Sequence, residues 1–258
     1  MSKWFNLDSP LMNGLNKIAD IIILNLITLL FFVPGMILSY FAFAGIAQTG
    51  NVNVLFLILA ALSTLPIGSA LTAMNFVALK MVRNEETYII KTFFRSFKQN
   101  FRQASIIWVI YILIIAFFVF DFYIIFKSGL EMPQWIRIGV VITAALVLLL
   151  SLNTFPILAK FDNTIGKTLK NAALVGLMMW PKTILMALIW TIPVIILVFA
   201  PQILPVDLLA GISGPGFLCA LLYNKTFKKF EPEVEEKDAD DWTVEVEEEG
   251  TQDNDIEG

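Results

Sequence analysis

Six apolar blocks, each close to the length of a membrane crossing, organise this chain. A hydrocarbon core about 30 Å thick takes about 20 predominantly apolar helical residues to cross. The blocks fall at about 21–43, 54–77, 106–126, 138–159, 184–201 and 205–223. Hydropathy alone carries the first four. The fifth holds Pro193, and the sixth is interrupted by Gly211, Gly214, Pro215 and Gly216. Ala42-Phe43-Ala44 mimics a signal cleavage site. The run before it is about 20 residues, against the 7–15 of a signal peptide, so an uncleaved first helix is expected. The expected fold is all-α: a polytopic membrane helix bundle of six transmembrane helices as three hairpins, with cytoplasmic amphipathic helices and a disordered acidic tail.

Orientation follows from where Lys and Arg fall between the blocks. Residues 1–230 carry a net +9 and residues 231–258 a net −13, which together make the −4 of the whole chain. With six crossings, 15 of the 17 basic residues in 1–230 lie on one side. They include Lys3 and Lys17 before the first block, and Lys225, Lys228 and Lys229 after the sixth. Only Lys127 and Arg137 fall on the other. Without the sixth crossing the last three lysines would move outside and spoil the division. The expectation is a multi-pass membrane protein with both termini on the cytoplasmic side. It comprises a membrane domain over 1–230 and a disordered acidic cytoplasmic tail over 231–258. That tail has too few apolar residues to bury a core. Its Trp242-Thr243-Val244-Glu245-Val246 stretch alternates weakly.

The basic connections are patterned. Over 86–102, Ile90, Phe93, Phe94, Phe97 and Phe101 recur at helical spacing, with Lys91, Arg95, Lys98 and Arg102 on the other face. Such a helix lies at a membrane surface. It reads either as a positive-inside anchor or as a docking site for a partner or an anionic lipid. Segment 163–176 repeats the pattern more weakly, with Ile165, Leu169 and Ala172 against Lys167 and Lys170. Spans two, four and six each run into a short basic segment. Three repeated hairpins or shared topology alone would produce that echo.

Chemistry is poorly represented. Histidine is absent and Cys219 is the single cysteine. The commonest general base and metal ligand are therefore missing, as is any internal disulfide or cysteine cage. A hydrolase, a metalloenzyme and a haem protein are all disfavoured, and no cofactor is expected. Gly166-Lys167-Thr168 resembles the end of a phosphate-binding loop, but that motif needs a glycine where Phe161 stands. Nucleotide binding is rejected, and no nucleic-acid partner is expected.

Acids at membrane depth are functional candidates by default. Asp121 and Asp207 both lie near the outer interface, Asp20 at the inner edge of the first span. Arg137 is placed to form an outer ion pair with Asp121. Neutral polar residues are more numerous within the blocks and ordinarily bond between helices or back to carbonyls. Prolines at 34, 66, 156, 193 and 215 add the option of broken helices, which line substrate sites in some transporters. A polar groove, if one exists, is expected between spans two and four, at Ser63, Thr64, Ser69, Asn75, Asn153 and Thr154.

Several stretches together resemble a known family. They are Pro66 to Ala73 running into Ala78-Leu79-Lys80, and Phe93 to Phe101. Phe155 to Asn163 follows, with Thr168-Leu169-Lys170-Asn171-Ala172, then Asn224-Lys225-Thr226-Phe227. Their order and spacing resemble the YesL-like family of bacterial integral membrane proteins, a domain-of-unknown-function family. The likeness covers roughly 1–230 and leaves out the acidic tail. It implies a Gram-positive cytoplasmic membrane and genes near sugar-uptake ABC transporters and glycan-degrading enzymes. It implies no catalytic residues. The resulting expectation is a non-enzymatic accessory or scaffold component associated with carbohydrate uptake. Its expected partners are the bilayer and an ABC-type sugar permease or other membrane protein, in an oligomeric state left open. The alternative is a small-solute transporter or channel subunit.

Overall fold

The computed structural model describes residues 10–51, 53–85, 87–127 and 133–231. The acidic tail beyond Glu231, and the Trp242–Val246 stretch within it, lie outside them. The chain divides into a unit over Met1–Thr226 and a second over Phe227–Gly258. Of the second, Phe227–Glu231 are described, with the Phe230 N–H donating to the Phe227 carbonyl.

The first unit is all-helical, with no strand among the described residues. Its helices are α1 (Pro10–Thr49), α2 (Val54–Val82), α3 (Ile89–Lys127), α4 (Gln134–Ser151) and α5 (Thr154–Lys160). Then come α6 (Ile165–Met178), α7 (Trp180–Phe199), a 3-10 turn (Pro201–Ile203) and α8 (Leu204–Ala210). The last, α9, runs from Ser213 to Phe227. Five helical stretches are long and apolar enough to cross a membrane, counting α4 and α5 as one. The stretches before and after residues 211–212 meet at 57°, and together they would make a sixth.

Helix ends follow local chemistry. Gly50 ends α1 with φ +67°, a conformation glycine adopts without strain, and its N–H reaches the Ile46 carbonyl. Asn53 then caps α2, its side chain accepting from the Phe56 N–H at 3.4 Å. Prolines 34, 66 and 193 sit inside continuous helices. Pro156 and Pro215 fall in first turns, where a missing N–H costs nothing.

The main departure from the sequence expectation is length. Segment 86–102 is not a separate surface helix: from Ile89 it is one helix with the third span. Gln103-Ala104-Ser105 contains no breaker, so the helical pattern has no reason to stop. Helix α3 is therefore about 58 Å long and α1 about 60 Å, roughly twice a hydrocarbon core. The fourth span departs the other way. It pauses at Leu152-Asn153 and resumes as α5.

The inter-helix bonds show which ends lie together. Lys17 Nζ donates to Asn84 Oδ1 at 2.8 Å, and Arg83 Nε to Asn224 Oδ1 at 2.9 Å. Lys182 Nζ reaches Thr226 Oγ1 at 3.3 Å. The start of α1, the end of α2, the start of α7 and the end of α9 thus share one end of the bundle. Burial concentrates towards that end. In α2, Ile67–Ala70 and all but two of the residues from Thr72 to Met81 are buried, whereas Val54–Phe56, Ile58 and Leu59 are exposed. At the other end, α7 and α4 present mostly exposed Leu, Ile and Val, the surface a lipid environment favours.

Candidate functional site

The buried polar side chains are the place to look for a working site, because each must be paired or explained. Asn25 is fully buried on α1 and serves the break between α8 and α9. A helix start leaves its first N–H groups without partners. Here Asn25 Oδ1 accepts from the N–H groups of Ile212 and Ser213, both at 2.9 Å. Its Nδ2 donates to the Leu208 carbonyl at 2.9 Å, on the other side of the break. Ser213 Oγ completes the joint by donating to the Ile21 carbonyl at 2.7 Å. One side chain from the first helix thus holds both sides of the α8–α9 break.

A second seam joins α2 to α9. Tyr223 is buried, and its hydroxyl donates to Asn75 Oδ1 at 3.3 Å, while Asn75 Nδ2 donates to the Leu71 carbonyl at 2.8 Å. The two helices come close because Gly216 has no side chain: a Cβ there would run into Met74 Sδ.

A third seam joins α2 to α3. A Cβ on Gly68 would meet the Ala104 carbonyl oxygen at 2.5 Å, so only glycine permits this approach. Ser105 Oγ donates to the Leu65 carbonyl at 3.1 Å and Ser69 Oγ to the Phe101 carbonyl at 3.3 Å. Small residues and hydroxyl bridges of this kind hold apolar helices together without a hydrophobic driving force.

The six residues expected to line a polar groove are distributed among such seams. Ser63 and Thr64 each bond back to the carbonyl three residues earlier, both at 2.7 Å. Ser69 faces α3 and Asn75 faces α9. Thr154 Oγ1 lies 2.6 Å from the Tyr111 hydroxyl, and Asn153 Nδ2 donates to Thr183 Oγ1 at 3.4 Å. The structure brings Asn153 and Thr154 together at the α4–α5 break. It does not gather the six into one groove. Asn153 Oδ1 and Thr168 Oγ1 are buried without a hydrogen-bond partner.

Asp121 and Arg137 form no ion pair among the described residues, where the pair recorded is Lys80 with Glu85 at 3.5 Å. Arg137 Nε is buried and without a partner. A cavity of about 360 Å³ lies between α3 and the α4–α5 stretch, lined from Trp108 to Phe122 on one side and from Ala144 to Phe155 on the other; neither Asp121 nor Arg137 lines it. A second cavity, of about 630 Å³, lies at the α1–α2 turn between Phe41 and Phe56. Neither is lined by any of the six polar candidates. No three His, Cys, Asp or Glu side chains among the described residues are placed to hold a metal ion.

The patterned stretch of α3 divides into three faces. Phe93 is buried and Phe97 half-buried, and both stack on Phe31 of α1, with ring centroids 6.1 and 4.4 Å away. Lys91, Arg95, Lys98 and Arg102 are all exposed along one line. Ile90, Phe94 and Phe101 are exposed beside them. The inward face thus packs on protein, and the basic line stays open. Segment 163–176 forms α6 much as its pattern suggests. Thr168, Ala172, Val175 and Gly176 point inward, and Lys167 and Lys170 are exposed.

Sequence reasoning placed Asn25 among the polar residues that bond between helices but not its partners, and it missed Ser213, Tyr223 and Gly68 as joints. An asparagine within an apolar run is the one signal that marked Asn25. Its partners lie up to 188 residues away, and nothing local points to them.

Residues 50–122, from the α1–α2 turn through most of α3, match the model of a family described as "Protein of unknown function, DUF624". That description gives no activity and does not carry the YesL-like name. No curated protein matches the chain, and no solved structure does.

Proposed function

We propose that this chain is a six-crossing protein of the bacterial cytoplasmic membrane, both termini inside, that works by docking rather than by chemistry. It is a non-enzymatic accessory or scaffold component associated with carbohydrate uptake, with a sugar permease or another membrane protein as partner. One observation carries the docking part. Most of the buried polar side chains join one helix to another or bond back within their own helix, while the basic line on α3 is exposed. No acid–base pair or metal cluster converges among the described residues. The carbohydrate association rests on the YesL-like resemblance.

The test is photo-crosslinking in cells from Tyr88 and Lys167, both exposed near the basic end. A permease or sensor captured from both positions is expected, together with impaired sugar uptake on gene deletion. Intact uptake with no captured membrane protein would sink the reading. A second reading, a small-solute transporter subunit, is favoured by the unpaired Asn153 Oδ1. It predicts solute flux in proteoliposomes that Asn153→Ala abolishes. No flux across a panel of oligosaccharides would count against it.

A further inference from the structure

The cavity beside α3 and the basic line on α3 occupy successive stretches of one helix. At about 100° per residue, Lys91, Arg95, Lys98 and Arg102 fall within a sector of about 60°. No acid occurs anywhere in residues 89–102 to neutralise it. Phe101 is exposed beside that line. Trp108, seven residues on, points to nearly the same flank and forms the first wall of the cavity. Arg102 and Trp108 are six residues apart, about 9 Å along the axis. From Trp108 to Phe122 the cavity wall runs a further ~21 Å, longer than one leaflet of about 15 Å. Its lining is almost wholly apolar, from Ile115 and Phe118 on α3 to Ala144 and Val147 on α4.

We propose that α3 holds one anionic phospholipid, its phosphate against Lys98 and Arg102 and one acyl chain in the cleft between α3 and α4. Charge selects the headgroup: two exposed cations at one helical turn's spacing favour a phosphodiester with net negative charge over a zwitterion. Shape selects the chain: the cleft is long and apolar, and it begins about 9 Å beyond Arg102 and about 120° round the helix from it, on the Phe101 flank, an offset that the glycerol backbone and first methylenes of a lipid span. The inward face of α3 is already packed on Phe31, so the helix cannot roll to hide either feature. The site rests on the membrane-crossing part of the reading above and not on any permease or sugar.

The full chain, reconstituted in phosphatidylcholine vesicles containing a minor fraction of phosphatidylglycerol, tests this by tryptophan quenching. Bromines are placed on the acyl chains of one lipid or the other. The signal lost between wild type and Trp108→Phe isolates Trp108. Brominated phosphatidylglycerol is expected to quench it several-fold more effectively than brominated phosphatidylcholine at equal mole fraction. The Lys98→Gln/Arg102→Gln variant is expected to remove that preference, and Lys98→Arg to retain it. Equal quenching by the two lipids in wild type would overturn headgroup selection. No quenching of Trp108 by either would overturn the cleft and leave a protein helix as its occupant. Failure of the chain to float with the vesicles would overturn the crossing itself, and the lipid site with it.

Discussion

Lys182, at the start of α7, donates through Nζ to Thr226 Oγ1, near the end of α9, at 3.3 Å. The chain leaves one end of the bundle along α7 and comes back beside its own point of departure. Lys17–Asn84 and Arg83–Asn224 tie the same end from other helices. The bent α8–α9 pair is therefore a return journey, which is what the basic-residue division requires of a sixth crossing. In a Cys219→Ala background, single cysteines at Asn84, Lys182 and Thr226 are expected to label with a membrane-impermeant maleimide from one side. A cysteine at Gly50 or Pro133 is expected to label from the other. Mixed sidedness within the first group would overturn six crossings.

Removing the cap from the break is expected to be the costliest small change. Asn25→Ala strands the Ile212 and Ser213 N–H groups and the Leu208 carbonyl. Each such buried orphan costs about 1–3 kcal/mol, and about 3 kcal/mol in total is expected once relaxation is allowed. Asn25→Asp keeps the acceptor for both N–H groups and should recover part of the loss. Unfolding in mixed detergent micelles reads both.

Gly68→Ala is expected to push α2 from α3, at about 1–3 kcal/mol, because the clash is with backbone. Gly139→Ala and Gly166→Ala are the controls. Nothing lies within 4 Å of a Cβ at either position, so the higher helix propensity of alanine should leave them neutral or slightly stabilised, by up to about 1 kcal/mol. Thermal melting of the three variants side by side separates the close approach from a general glycine effect.

A double-mutant cycle with Asn75→Ala and Tyr223→Phe is expected to show coupling of about 0.5–1.5 kcal/mol, the worth of one buried hydrogen bond. Additive losses would mean that the 3.3 Å contact carries no energy.

The sequence marks where crossings lie because hydropathy is local. It marks α6 for the same reason: Ile165, Leu169 and Ala172 recur at helical spacing against Lys167 and Lys170. It overstates the boundary at 102, since a change from amphipathic to apolar pattern is a change of surroundings and not of backbone. It is nearly silent on the joints. Asn25 and Asn153 look alike in apolar runs, yet one spans a helix break and the other keeps an unpaired oxygen. Pairing across 148 residues, as between Asn75 and Tyr223, leaves no periodic trace. The same holds for Asp121 and Arg137: their places in the sequence suit an ion pair, and nothing local reports that the two side chains do not meet.

The Asn25 joint also sets an order of events during biosynthesis. Asn25 and its farthest partner, Ser213, are separated by 188 residues. At about 5–20 residues per second, some 10–40 s of translation pass between them. Throughout that interval α1 carries a polar side chain with no final partner, and the last hairpin has not yet left the ribosome. The α8–α9 break is thus closed by a group that was in place first. The bundle can be locked only when the chain is nearly complete, and a truncated product lacks its latch.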